Sequence, residues 1–364
     1  YINAADRIER LSFEDRKLVE VAVAMYSEPD VLFVDETTTA LSQKGRELVY
    51  KLMDDMRKQG KTVIFISHDM EELERMCDSI SVLRDGNFVG TIQKEEITQD
   101  VLKRMMIGRD LTGDYYRSDC KLSYSDRVVL EVNGVSYGTS VQNISFQLHK
   151  GEILGLGGLT ECGMHELCKI IFGAVKPDKG SVRLADGTEI KSPSVAIENK
   201  IAYMPKDRDL ESLFLATSIK DNISMASLNK VKKGIFIPPK EERELADFNA
   251  KKLEVKMQNI TQYVRELSGG NKQKVVVAKW MANDSEILIM DCPTRGIDIG
   301  VKAAIYRLME QLKKEGKSII MVSEEMPELL GMSDRIIVMK DGKQTGQFDR
   351  SESLGEENLI HAML

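Results

Sequence analysis

Two stretches of this chain repeat each other in a fixed register. "LSFEDRKLVEVAVAM" from Leu11 aligns with "LSGGNKQKVVVAKWM" from Leu267, an offset of 256 (267 less 11). "VLFVDETTTAL" from Val31 aligns with "ILIMDCPTRGI" from Ile287, and "CDSISVLRDG" from Cys77 with "SDRIIVMKDG" from Ser333, at the same offset. No gap is needed from Leu11 to Gly86, and roughly a third of the aligned residues are identical. A register held that long means two copies of one structural unit. The second copy starts near Arg127, at "RVVLEVNGVSY". By the same offset the first copy's start falls roughly 130 residues before Tyr1, so the first copy is expected to be truncated. The expected organisation is a partial copy over 1–108, a polar linker over 109–126 and a complete copy over 127–364.

The patterning of each copy points to an α/β fold. "DVLFVDE" and "EILIMDC" are short apolar runs that end in acids or a thiol, and they suit central parallel strands covered on both faces. Leu48, Val49, Leu52, Met53 and Met56 recur at helical spacing, Gly60 ends that helix, and "KTVIFIS" is a second buried strand. Strand, helix, strand is the unit of a parallel sheet, whose ligands bind at the carboxyl ends of the strands. "EILGLGGLTECGMHELCKIIFG" reads as a strand, a glycine-rich turn and a helix. Its "GLTECGMH" has the glycine spacing of a phosphate-binding loop, but Met164 and His165 stand where lysine and serine or threonine belong.

Composition excludes some functions. A net charge of -7 and a pI near 5.4 argue against non-specific nucleic-acid binding. The apolar runs are far short of the ~20 residues that span a bilayer. The five cysteines show no metal-type spacing and read as free thiols of a reducing compartment.

"LSGGNKQK" resembles the signature motif of ATP-binding cassette (ABC) proteins, "VLFVDETTTAL" their Walker B and D-loop, and "ISHD" their switch histidine. "PTRGIDIGVKAAIY", "VSEEMPELLGMSDRIIVM" and "MMIGRD" are similar to stretches of the tandem-cassette ATPases of bacterial sugar importers. The resemblance implies the P-loop NTPase fold of that family: a mixed sheet with flanking helices, plus a helical subdomain at about 205–275. It implies ATP and Mg²⁺ as cofactors. It also implies two transmembrane permease subunits and an extracytoplasmic solute-binding protein as partners, no nucleic acid, and a peripheral place on the cytoplasmic face of the membrane. A soluble ribosome-associated tandem ATPase and a non-hydrolysing interaction fragment are the alternatives.

The resemblance also sorts the residues into two sites, each pairing one copy's phosphate loop with the other's signature. In the first, Asp35 holds Mg²⁺, Glu36 is the general base, and His68 contacts the γ-phosphate. Ser268, Gly269, Gly270 and Asn271 form its signature turn, and Asp298 bridges the sites. In the second, the loop from Gly158 through Gly163 and Met164 to His165 stands with Asp291 as metal ligand, Cys292 in place of the glutamate and Glu324 in place of the histidine. Its signature is Ser12 to Asp15, where Glu14 and Asp15 set negative charge, and Tyr137 is the candidate adenine-stacking ring. Lys206 stands where glutamine or an acid is usual. One working and one degenerate site is the expectation.

Overall fold

The computed structural model describes residues 3–363 except 4, 9, 10, 68, 85, 86, 99, 100, 103, 104, 107–115, 118, 120–122, 160 and 298. His68 and Asp298 therefore lie outside the described residues, as does most of 109–126. The chain divides into two units, Tyr1–Thr112 and Gly113–Leu364.

In the second unit the apolar strands build a six-stranded sheet. Strand β7 (Ile153–Gly158) lies between β11 (Ser318–Val322) and β12 (Arg335–Lys340); β10 (Ile287–Asp291) and then β9 (Ile201–Met204) follow beyond β11. These five run parallel, and β13 (Lys343–Asp349) closes the far edge antiparallel to β12. β7, β9, β10 and β11 are buried at every residue, which is why they read as unbroken apolar runs. A three-stranded antiparallel sheet of β6 (Val141–His149), β5 (Val128–Tyr137) and β8 (Lys179–Leu184) completes the mixed α/β core. Helices Ile219–Ser224, Pro239–Lys252 and Gly269–Ala282 pack on one another. The first of these carries a capping box between Ser218 and Asp221.

Part of the expected linker is docked on the second unit. Arg117 is buried, donating to Met332 O and Asp334 Oδ1, both at 2.9 Å. Asp334 in turn accepts from the Ile153 amide at 2.8 Å, which fixes the start of β7.

In the first unit β1 (Val31–Asp35) pairs in parallel with β2 (Thr62–Ile66), and β3 (Ser79–Arg84) pairs antiparallel with β4 (Asn87–Gln93). The 256-residue offset relates geometry as well as residues. Asp35 pairs with Ile66 as Asp291 pairs with Val322, and the register shift at Val82/Leu83 recurs at Val338/Met339. The expectation of strands covered on both faces is corrected here. Val31, Phe33, Ile64 and Ile66 are exposed, whereas Ile287, Ile289, Ile320 and Val322 are buried. The reason is that packing among the described residues covers one face of the pair, where Leu32 and Val34 join Leu41, Val49, Met53 and Met56.

A buried carboxylate recurs at the same offset. Glu72 accepts from Thr38 Oγ1 at 2.7 Å, Ser67 Oγ at 2.8 Å and Tyr50 OH at 2.5 Å. Glu328 accepts from Thr294 Oγ1 at 2.7 Å and from Ser323 Oγ. Each carboxylate ties the turn after one strand to the start of the helix that follows the neighbouring strand. Burial pushes the Glu328 carboxyl up, and the two hydroxyls oppose that shift. Glu328→Ala strands both hydroxyls in the core and is expected to cost about 2–3 kcal/mol of stability in urea unfolding. Glu328→Gln, which keeps an acceptor, is expected to cost less.

Candidate functional site

The two strand ends that carry the acidic motifs share one backbone conformation. Glu36 has φ 45° and Cys292 has φ 49°, a left-handed geometry that side chains other than glycine rarely adopt. The Glu36 amide donates to Ile66 O at 2.9 Å, and the Cys292 amide donates to Val322 O at 3.0 Å. The fold thus presents whichever residue follows the aspartate in one fixed way. In the first unit that residue is a carboxylate, and both Asp35 and Glu36 are exposed. In the second unit it is Cys292, 8% exposed, whose thiol burial drives well above its ordinary range. A buried protonated thiol is no base for water.

The glycine loop of the second unit follows β7 directly. Gly163 has φ 94°, and a Cβ there would stand 1.7 Å from Ser140 O. Only glycine fits, because the turn after β5 lies against the loop. Tyr137 ends β5 three residues before Ser140 and is half-buried against the core. Met164, the residue at the lysine position, begins the helix Met164–Ile171 and is fully buried. Its thioether fills the core and does not face the loop's open side.

His165, the next residue, is the centre of a charged cluster. Its Nδ1 lies 2.7 Å from Asp291 Oδ1, and its Nε2 lies 3.1 Å from Lys206 Nζ and 3.6 Å from Glu324 Oε1. Lys206 Nζ donates to Glu324 Oε1 at 2.6 Å. Tyr203 OH donates to Asp291 Oδ2 at 3.4 Å. The groups come from the ends of β9, β10 and β11 and from the start of the loop helix, all at the carboxyl edge of the parallel strands. Burial lowers the His165 pKa, but the Asp291 and Glu324 carboxylates more than offset it and hold the ring at about 9. His165, against some burial and together with Lys206, holds the Glu324 carboxyl at about 2. Two cations and two anions therefore neutralise one another.

This donor set does not fit Mg²⁺. The ion wants near-octahedral oxygen ligands at ~2.0–2.1 Å, and here an imidazole is bonded to the one aspartate, with an ammonium beside it. His165, Asp291 and Cys292 offer ligand atoms within 4.8 Å of one another, a set in the range of a softer metal. Lys206 beside the ring and the high thiol pKa both oppose that use. In the first unit the exposed Asp35 carboxylate is of the hard-oxygen class that suits Mg²⁺.

The signature-like residues stand elsewhere in the second unit. Ser268 stands at the N-cap position of the helix Gly269–Ala282 without a side-chain capping bond, Asn271 Nδ2 donates to Ser268 Oγ at 3.0 Å, and Asn271 Oδ1 accepts from the Lys256 amide at 2.8 Å. The Arg208 guanidinium packs over Gly269 and donates to Arg295 O and Gly296 O. In the first unit Ser12 Oγ donates to Asp15 Oδ2 at 2.7 Å, and Glu14 Oε1 accepts from Ser42 Oγ at 2.5 Å. The Glu14 charge is thus turned onto a helix start within its own unit. Sequence reading left Lys206 without a role and did not single out Arg208 or the Glu72 and Glu328 carboxylates. The two glutamates were visible as identical residues of the repeat. Nothing in the spacing of Lys206 pointed to His165.

The family profile for "ABC transporter" matches residues 141–295. The ribose import ATP-binding protein of Clostridium tetani is 40% identical over 357 residues, 97% of this chain and 70% of that one. That of Agrobacterium fabrum is 40% identical over 99% of this chain and 70% of its own length. A putative ribose/galactose/methyl galactoside import ATP-binding protein of Geobacillus kaustophilus is 37% identical over 95% of this chain and 68% of its own. Among solved structures, a nucleotide-free ATP-binding cassette of an ABC transporter is similar in fold, with TM-score 0.54 and 20% identity over 64% of this chain and 95% of that one.

The charge cluster sets a pH signature. A carboxyl depressed from 4.5 to about 2 adds stability that is present above about pH 4.5 and lost as pH falls toward 2. An imidazole raised from 6.5 to about 9 adds stability that is present below about pH 6.5 and lost as pH rises through 9. Glu324→Gln is therefore expected to cost about 1 kcal/mol near pH 6, discounted for the carboxylate's partial exposure. Urea unfolding across pH should show that cost vanish in acid; a cost independent of pH contradicts the assignment.

Proposed function

As this chain belongs to the ATP-binding cassette (ABC) transporter family, we propose that it is the ATP-hydrolysing subunit of an importer for a sugar or related small solute. The relatives named for sugar import, at 37–40% identity over at least 95% of the chain, support that substrate class. The observation that carries the division of labour is the pair of matched strand ends. One backbone geometry presents a carboxylate, Glu36, in one unit and a buried thiol, Cys292, in the other. Hydrolysis belongs to the Glu36 unit.

In this reading Glu36 takes the proton of the attacking water as the water adds to the γ-phosphorus and ADP leaves. Its left-handed backbone sets the direction of the carboxylate. Asp35 is the metal ligand, and bound Mg²⁺ supplies neutralisation of the phosphate oxygens. His68 is assigned from sequence to the γ-phosphate. Ser268 and the amides of Gly269, Gly270 and Asn271 open a helix whose N-terminal dipole favours a nucleotide phosphate. Gly158, Gly163 and Tyr137 bound a second nucleotide site that does not hydrolyse. The copies over 1–108 and 127–364 belong to the two cassettes.

The partners in this reading are two permease subunits and a solute-binding protein that feeds them. In this reading attachment is through the permease, at the cytoplasmic face; no helix among the described residues is long and apolar enough to cross a membrane. The helical stretch of the second unit exposes Leu210, Phe214, Ile235, Phe236 and Phe248, apolar side chains suited to such a contact.

In the assembled importer, Glu36→Gln is expected to lower ATP turnover by about 10²–10⁴ while leaving ATP binding intact. Cys292→Ala is expected to change turnover by no more than about twofold. Steady-state phosphate release in proteoliposomes reads both, and equal losses would reject the assignment of hydrolysis to one unit.

A further inference from the structure

We propose that the glycine-loop site of the second unit binds a nucleoside triphosphate without a divalent cation, Lys206 and His165 standing where the metal ion stands in related sites. The proposal rests on the nucleotide-site reading above and extends it to what neutralises the phosphates.

In phosphate-loop enzymes the metal is held by the loop's serine or threonine and by the aspartate at the strand end. Here those two positions are His165 and Asp291, and they are joined directly at 2.7 Å. The ring fills the space between the two ligand positions with a hydrogen-bond donor. Lys206 Nζ, 3.1 Å from the same ring, would lie against any divalent ion placed there, and like charges in a half-buried site repel strongly. The loop also lacks its own lysine, since Met164 at that position is fully buried in the core. One substitution thus removes a phosphate-binding cation and another removes a metal ligand. Lys206, reaching in from the end of β9, compensates for both: it is an ammonium beside the loop, and it is a cation at the metal position.

Glu324 completes the arrangement. It accepts from Lys206 at 2.6 Å, so the ammonium already holds an anionic oxygen. The side chains of Lys206 and Glu324 are 22% and 35% exposed, open enough for an incoming phosphate to exchange with the carboxylate. Binding is then an exchange of one anion for another at Lys206, with loop amides and the start of Met164–Ile171 as further donors.

The test is equilibrium dialysis of the 364-residue chain with radiolabelled ATP, once with Mg²⁺ and once with excess EDTA. The wild-type dissociation constant should agree within about threefold between the two conditions. Lys206→Gln should weaken binding about tenfold or more in both, the loss expected when a charged hydrogen bond is removed. The double variant His165→Ser/Lys206→Gln, which restores a hydroxyl and a neutral amide, should bind ATP only with Mg²⁺. Glu324→Gln removes the competing anion and keeps the side chain's shape, so it should tighten binding even though it costs stability, a gain that misfolding cannot produce. A wild-type requirement for Mg²⁺ overturns the inference and leaves the nucleotide reading standing. Binding unaffected by Lys206→Gln also overturns it. No ATP binding in either condition overturns the nucleotide reading of this unit and the inference with it.

Discussion

A carboxylate buried behind each strand end governs how the chemistry is presented. Glu72 gathers Thr38, Ser67 and Tyr50, and Glu328 gathers Thr294 and Ser323. Each locks the turn after the aspartate to the helix that follows the neighbouring strand. A buried carboxylate without donors costs several kcal/mol, so the hydroxyls cannot drift without destabilising the unit. That rigidity sustains the left-handed backbone at Glu36 and Cys292, a conformation costing of order 1 kcal/mol or more.

The same scaffold carries unlike side chains, and the difference is chemical rather than architectural. At the first strand end two carboxylates face solvent. At the second, one aspartate is held by an imidazole and the next residue is a buried thiol. The second cluster is also self-neutralising, because Lys206 and His165 balance Asp291 and Glu324. The departures at 165, 206 and 324 are therefore parts of one arrangement. Each taken singly looks like a lost function, and together they make a bonded network.

Burial explains the contrast between the strand pairs. In the second unit β10 and β11 sit inside six strands and lose both faces to the core, while in the first unit β1 and β2 keep one apolar face open. An identical apolar pattern was compatible with either outcome. Periodicity records which residues are apolar, and coverage depends on which other elements arrive.

The sequence by itself determined the repeat, the alternation of strands and helices, the family and the positions at which the second copy departs from its motifs. These are local properties: side-chain period, glycine spacing and residue identity at a fixed offset all lie along the chain. Tertiary structure alone decided that Met164 points into the core, that Glu14 is spent on Ser42, and that Lys206 meets His165 and Glu324. The two Lys206 contacts join residues 41 and 118 positions apart in the chain. They depend on the order in which parallel strands lie side by side, and no period or motif along the sequence encodes that order.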